Sequence, residues 1–420
     1  RGRAMNGTSI DPNTTCEPAF GTPSYYRETY WNLNNISACP GSILRHVKVP
    51  INGVNVPWLY MGTLFSTFCW HNEDNYLYSI NYHHSGAPKQ WYGVPGTKRD
   101  ADGVEKVFKN FLALKVRESP DLLHHITTMF SPTLLQNNSV PVYKILQHPG
   151  EFIVTFPRAF HGGFSMGPNI GEAVNFATPD WIAHGGEANE RYRTISRHAV
   201  FSHDRLTFTI AQYLNEHNYE SCELLRRELV KVIEEEDQLR QNLIQMGVVD
   251  VTSQVRLPAN NLRQLDEMSA NYDDKRLCHT CAHICFFSTV ACRCSSSKVS
   301  CLRHADFMCK CPPTRKYMLT WMRTVEMKNT LKLVERRCDE LKDRLKVARE
   351  SSSQVTGQVD AEVGGKRSEP SSMGDHAVSP MISKLEQSWR LDEETHRGYV
   401  VATTRPTQEQ ERFPLQGAAS

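Results

Sequence analysis

His71, Glu73, Ser79, Asn81 and Lys89 fall within 19 residues of one aromatic-rich stretch, "FSTFCWHNEDNYLYSINYHHSGAPKQWYGVPG", Phe65 to Gly96. In a strand, residues two apart share a face. On that reading His71 and Glu73 point the same way, and so do Ser79 and Asn81. Two histidines and one carboxylate on one face of a metal leave the opposite positions open, the arrangement of non-haem iron(II) oxygenases. The third ligand must approach from another strand. His161, in "TFPRAFHGGF", is the strongest candidate, because Gly162 and Gly163 beside it permit close backbone approach. His83, His84, His124, His125, His148 and His184 are weaker candidates by placement. A dicarboxylate cosubstrate would need a cation and hydroxyl or amide donors near that metal, and Lys89, Ser79 and Asn81 are of those types. The plainer alternative is a solvent-facing set of polar residues with a lysine reaching to water.

A second group is denser. Eight of the 13 cysteines lie between Cys278 and Cys311, interspersed with His279, His283 and His304. One concentrated cluster, in a chain with no export signal, points to metal binding in a reducing compartment rather than to a disulfide framework.

The elements that must position these groups follow from pattern. "VPWLYMGTLFSTF", "YSINYHH", "KQWYGV", "VPVYKIL", "GEFIVTF" and "EAVNFAT" read as strands. "RDADGVEKVFKNFLAL" and "SPDLLHHITTMFSP" read as helices, the second with Ser119 as N-cap and Pro120 in its first turn. Many short strands and few helices predict a mainly β domain of jelly-roll or barrel type over residues 25–200. A loose leader is expected at 1–24, and a helical linker domain at 201–277. A zinc-binding module follows at 278–311 and an amphipathic helix at 312–349, whose Met327, Leu331, Val334, Cys338, Leu341 and Leu345 recur at helical spacing. Residues 350–420, rich in Ser, Gly, Glu and Gln, are expected to be disordered. Arg1 rather than Met opens the sequence, so a piece of a longer protein is expected.

Composition removes some function classes. The net charge of +2 gives no global field toward nucleic acid, so direct DNA binding has no strong support here. No apolar run reaches the roughly 18 residues of a membrane span.

The Phe65–Gly96 stretch, together with "PGEFIVTFPRAFHGGF" and "GEAVNFATPDW", resembles the JmjC domain of histone lysine demethylases over residues 30 to 200. The resemblance implies a double-stranded β-helix of the cupin type. It implies His71, Glu73 and His161 as iron(II) ligands, and Lys89 on the far carboxylate of 2-oxoglutarate. Ser79 and Asn175 or Asn81 would be hydrogen-bonding neighbours, Phe68 and Trp91 the pocket walls, and Tyr60 would line the methyl-lysine site. O2 is the implied oxidant. Small-hydroxylase relatives usually carry Asp where this chain has Glu73, which favours demethylation.

The cysteine cluster is similar to the C5HC2 finger that follows JmjC in JARID-type and some plant demethylases. It implies two Zn(II) ions, one on Cys278, Cys281, Cys301 and His304, the other on Cys292, Cys294, Cys309 and Cys311. One residue separates Cys292 from Cys294, where the family usually has two, and Cys285 is a further thiol that could substitute or stay free. "SINYHHSGAPKQWYGVPG" is closer to plant-type sequences.

The implied function is Fe(II)- and 2-oxoglutarate-dependent demethylation of histone H3 in the nucleus, on the H3 tail or nucleosome and possible chromatin complexes. Lysine 4 is favoured, with lysine 27 or lysine 9 as alternatives. A catalytically inactive chromatin scaffold and a hydroxylase of a non-histone protein are the competing classes. The resemblance also leads one to expect a JmjN segment and a further tyrosine upstream of Arg1.

Overall fold

The computed structural model describes residues 22–119, 122, 127–251, 276–359 and 399–403. Short helices α1 (Pro23–Glu28) and α2 (Leu33–Ile36) lead into β1 (Trp58–Gly62), β2 (Thr67–His71), β3 (Tyr78–Gly86) and β4 (Lys89–Gly93). Helices α3 (Lys98–Phe111), α4 (Ala113–Glu118) and α5 (Pro132–Asn137) intervene before β5 (Tyr143–Gln147), β6 (Glu151–Thr155), β7 (His161–Ser165) and β8 (Asn169–Phe176). Helices α6 (Trp181–Ile195), α7 (His203–Ile210) and α8 (Tyr219–Gln245) follow. The cysteine-rich region then contributes β9 (Val249–Asp250), β10 (Ser288–Cys292), β11 (Ser295–Ser300) and β12 (Lys316–Thr320), followed by α9 (Thr324–Val359) and β13 (Tyr399–Thr403).

Eight of these strands form the two sheets of the β domain, ordered β1-β8-β3-β6, with β13 added beside β6, and β2-β7-β4-β5. All their pairings are antiparallel. Strand alternation explains what each sheet buries. On β3, Tyr78 and Ile80 face outward into a core shared with Leu33, Ile36, Leu44, Val154, Val174 and Trp181. The outer side of the other sheet packs Trp70, Val94 and Phe160 against Val104, Val107 and Phe108 of α3. The intervening residues of β3, Ser79, Asn81 and His83, are buried and polar. Apolar cores on both outer faces therefore hold a polar interior between the sheets.

Helix α3 begins at Thr97, whose hydroxyl accepts from the Asp100 amide at 3.2 Å. Helix α8 is capped by Asn218 and stops before Gly247, at φ +96°, where glycine avoids the steric penalty of a left-handed conformation. Met327, Val334 and Cys338 of α9 join Cys222, Leu225, Leu229 and Ile233 of α8 in one core, so the spaced apolar face of α9 is used for packing within the fold.

Several expectations differ from the structure. Strand β7 was not foreseen as a strand. The helix expected over 312–349 starts at Thr324, because Lys316–Thr320 pairs along β10 instead. The helix expected from Ser119 to Pro132 lies largely outside the described residues, and Thr127–Ser131 carries no regular structure. Within 350–420, α9 continues to Val359 and Tyr399–Thr403 pairs with β6, contrary to a wholly disordered tail. The rest of that tail, and the leader to residue 21, lie outside the described residues.

β1 is the outer edge of its sheet, and no described strand pairs along its other side. Leu59 and Met61 on it are 66% and 84% exposed.

Candidate metal centre and cosubstrate pocket

His71 is the last residue of β2 and His161 the first of β7, and the two are opposite each other in register. Their ring centroids lie 4.2 Å apart. Glu73 arrives by a route that differs from the shared strand face expected from the sequence. The strand ends at His71, and Glu73 caps a 3-10 turn, Asp74–Tyr76, in which Asn75 and Tyr76 have positive φ. That turn folds the carboxylate back, so that Glu73 Oε1 lies 3.3 Å from His161 Nε2. One ligand atom from each of the three lies within 4.8 Å of the others.

Each histidine is oriented by its second nitrogen. His71 Nδ1 donates to the Cys69 carbonyl at 2.7 Å, and His161 Nδ1 to the Ala159 carbonyl at 3.0 Å. Protons on Nδ1 leave Nε2 with a free lone pair, as metal-ligating histidines require. Burial first, and His161 second, lower the His71 pKa to about 4, which keeps the ring neutral. Burial alone would raise Glu73, but the neighbouring His161, His71 and Asn175 side chains outweigh it and hold the carboxyl at about 2. An ionised Glu73 carboxylate and a neutral His71 ring are the protonation states a divalent cation needs.

Asn175, expected from the resemblance beside a cosubstrate, is committed elsewhere. Its side-chain NH2 donates to Glu73 Oε2 and to the Tyr78 carbonyl, each at 3.0 Å. It braces the Glu73 carboxylate.

Lys89 opens β4 and is 7% exposed. Burial lowers its pKa. Its ammonium lies 5.6 Å from the centre of the Phe68 ring and has no carboxylate partner among the described residues. Phe68 meets Trp91 edge-on at 4.6 Å, forming one wall. Gly163 makes that wall possible, since a Cβ there would lie 2.6 Å from Phe68 Cζ and 1.9 Å from the Gln90 carbonyl oxygen. On the opposite sheet, Ser79 Oγ bonds Thr155 Oγ1 at 2.5 Å. Gln147, fully buried, donates to the Asn81 side-chain oxygen at 3.3 Å and accepts from the Trp91 indole at 2.8 Å. Thr155 and Gln147 were not anticipated, and nothing local in "FIVTF" or "KILQHPG" marks them. Tyr60, on β1, is partly exposed at the mouth, and burial and the Glu73 charge raise its phenol.

The other histidines stand apart. His84 is on the outer side of β3 with its Nε2 2.8 Å from Glu172 Oε2. His184 meets Arg158. His148 is in the turn before β6, and His124 and His125 lie outside the described residues. His83 points inward.

The cysteine-rich region gathers two further sets, Cys278, Cys281, Cys301 and His304, and Cys292, Cys294, Cys309 and Cys311. Cys281 Sγ and Cys301 Sγ are 3.8 Å apart, and His304 Nδ1 is 3.2 Å from Cys301 Sγ and 3.7 Å from Cys278 Sγ. These are close to the roughly 3.7 Å edge of a tetrahedron with zinc–sulfur bonds of about 2.3 Å. Cys285 is buried beside the first set, outside its four ligands, 3.7 Å from the His283 carbonyl, and burial raises its pKa to about 12.

Residues 58–176 match the JmjC domain, hydroxylase, and residues 278–330 the C5HC2 zinc finger. Residues 180–234 match the C-terminal helical domain of lysine-specific demethylase 5. The chain is 38% identical over 347 residues to lysine-specific demethylase 5B of Gallus gallus, covering 82% of this chain and 21% of that protein. It is 42% identical over 285 residues to lysine-specific demethylase JMJ17 of Arabidopsis thaliana, covering 68% and 23%. With lysine-specific demethylase 5D of Homo sapiens it shares 39% over 293 residues, covering 70% and 18%. The chain thus spans about a fifth of the length of these relatives.

Proposed function

We propose that this chain, which carries a JmjC domain followed by a C5HC2 zinc finger, contains the catalytic core of an iron(II)- and 2-oxoglutarate-dependent demethylase of methyl-lysine on histone H3, acting in the nucleus, with lysine 4 as its first target. The observation that carries the reading is a pair. Three candidate ligand atoms lie within 4.8 Å of one another, and a buried ammonium, Lys89, lacks an anion among the described residues. A dicarboxylate spanning metal and lysine would satisfy both.

Iron(II) with 2-oxoglutarate and O2 would supply the oxidation of an N-methyl group, with succinate, carbon dioxide and formaldehyde as products. The residues do the rest. His71, Glu73 and His161 would hold the ion from one side and leave the other for cosubstrate and oxygen. Asn175 would keep the Glu73 carboxylate in place. Lys89 would neutralise the far carboxylate of 2-oxoglutarate, with Ser79 and Asn81 as polar neighbours. Phe68 and Trp91 would keep water from that end. Tyr60, at the mouth, would meet the methylated side chain. The thiol sets would bind two zinc ions and stabilise the module behind the barrel.

The test uses the purified chain with iron(II), ascorbate and 2-oxoglutarate on H3 peptides trimethylated at lysine 4, 9 or 27. Mass spectrometry should show methyl loss, greatest at lysine 4, with matching succinate release. Unchanged peptides and no succinate would support a silent JmjC scaffold instead. Added oxygen without methyl loss would indicate a hydroxylase.

A further inference from the structure

His83 is the inward group that the proposed chemistry leaves unused. It lies two residues beyond Asn81 on β3, so Ser79, Asn81 and His83 share one face. Its opposite residue on β8 is Gly171, and the residue opposite Gly171 on β1 is Tyr60. A Cβ added to Gly171 would stand 3.7 Å from Lys89 Nζ and 3.7 Å from Asn81 Oδ1. Side chains directly opposite in an antiparallel pair emerge on the same face, with Cβ atoms about 4.5–5.5 Å apart. His83 therefore enters the space around Lys89 and Asn81 from the strand beside Gly171.

His83 is 0% exposed, and among the described residues neither of its ring nitrogens meets a partner at full hydrogen-bond geometry, the nearest polar groups being the Ala87 and Gly86 backbone. Its neighbour His84, on the opposite side of the strand, is paired with Glu172. A buried polar ring with two unsatisfied nitrogens costs stability unless something else completes it. Burial, then the charge of Lys89 and that of His148, lower its pKa against the opposing backbone groups of Ala87 and Gly86. The ring is therefore neutral, with one N–H to donate and one lone pair.

We propose that His83 is a cosubstrate-binding residue, whose ring N–H donates to the far carboxylate of the dicarboxylate that Lys89 neutralises. The inference rests on the reading of the barrel as a 2-oxoglutarate pocket. It makes the anion site two-sided, with a cation from β4 and a neutral donor from β3.

The test measures 2-oxoglutarate binding to the full chain by calorimetry, with Mn(II) in place of iron so that no turnover occurs. His83→Leu removes the donor and keeps an apolar filling, and should weaken the dissociation constant about tenfold. His83→Gln restores an N–H and should bind within about threefold of the parent. The ring nitrogens of ¹⁵N-histidine-labelled parent protein should shift for one additional buried histidine when 2-oxoglutarate is added, and that signal should be missing in His83→Leu. Parent-like binding by His83→Leu, or equal weakening in both variants, overturns the inference. Lys89→Met separates this failure from failure of the underlying reading. If Lys89→Met loses binding while His83→Leu does not, only the inference about His83 falls. If the parent does not bind 2-oxoglutarate, or Lys89→Met binds as well as the parent, both fall.

Discussion

In the barrel, three ligands meet from the ends of β2 and β7 and the turn after β2, and those strands are already fixed by apolar cores on both outer faces. In the cysteine-rich module, four ligands meet in each set. The buried cluster around the first set consists of three of its own cysteines, Cys278, Cys281 and Cys301, with Cys285. The second set has only a small apolar neighbourhood, built from Val290, Leu302, Met308, Met318 and Leu243 of α8. Where packing makes the scaffold, ligands can be few and coordination positions can stay open for chemistry. Where ligands make the scaffold, all four positions of the ion are consumed by the protein. On the proposed reading, the number of candidate ligands in each group distinguishes a site for chemistry from a site for structure.

That contrast breaks most sharply under substitution. His161→Ala should reduce succinate release more than a thousandfold while the melting temperature stays within a few degrees of the parent, followed by coupled turnover and calorimetry. Cys301→Ser should do the reverse in kind. Elemental analysis should show one zinc fewer per chain, and the module should lose its cooperative transition, because binding free energy there is folding free energy. Equal thermal losses from both variants would erase the distinction.

Acid sharpens it further. The His71 pKa is about 4 in the fold against 6.5 for the ordinary side chain. Between those values the unfolded chain takes up a proton that the folded ring refuses. The metal-free barrel should therefore lose stability as pH falls from about 6.5 toward 4, by a few kcal/mol at roughly 1.4 kcal/mol per unit. Urea titrations at pH 7, 5.5 and 4.5 would measure it, and His71→Gln should flatten the slope.

The smallest expected effect lies one layer out. Asn175→Ala frees one oxygen of Glu73 and should weaken binding of Mn(II), as an iron surrogate, by about 10–100-fold without changing zinc content. A fold-wide loss would mean that Asn175 serves the strand pairing rather than the ligand.

The candidate ligands were more legible in the sequence than the geometry that gathers them. His71, Glu73 and His161 stand out by type, and the structure brings them together. The pleat that seemed to align His71 with Glu73 is not what aligns them, because the chain leaves β2 at His71 and the turn through Asn75 and Tyr76 redirects the carboxylate. A turn that depends on two positive-φ non-glycine residues leaves little signature in composition. Strand β7 was hidden for a related reason. "HGGFS" has weak strand propensity, and its glycines are required by contacts with Gln90 and Phe68, which are distant in sequence. Gln147 and Thr155 are ordinary polar residues in strands until the second sheet closes over them. β12 was absorbed into an expected helix because Lys316–Thr320 gains its partner only from β10.

The open side of β1 has a practical consequence for anyone handling this chain. Along this side no described strand pairs with it, and with Leu59 and Met61 exposed the edge is a template that a second molecule can extend. Association of the chain is then expected to rise with its concentration, which light scattering over a dilution series would check. A lysine at Met61 would act as a gatekeeper against that association and widen the range over which the protein stays in solution.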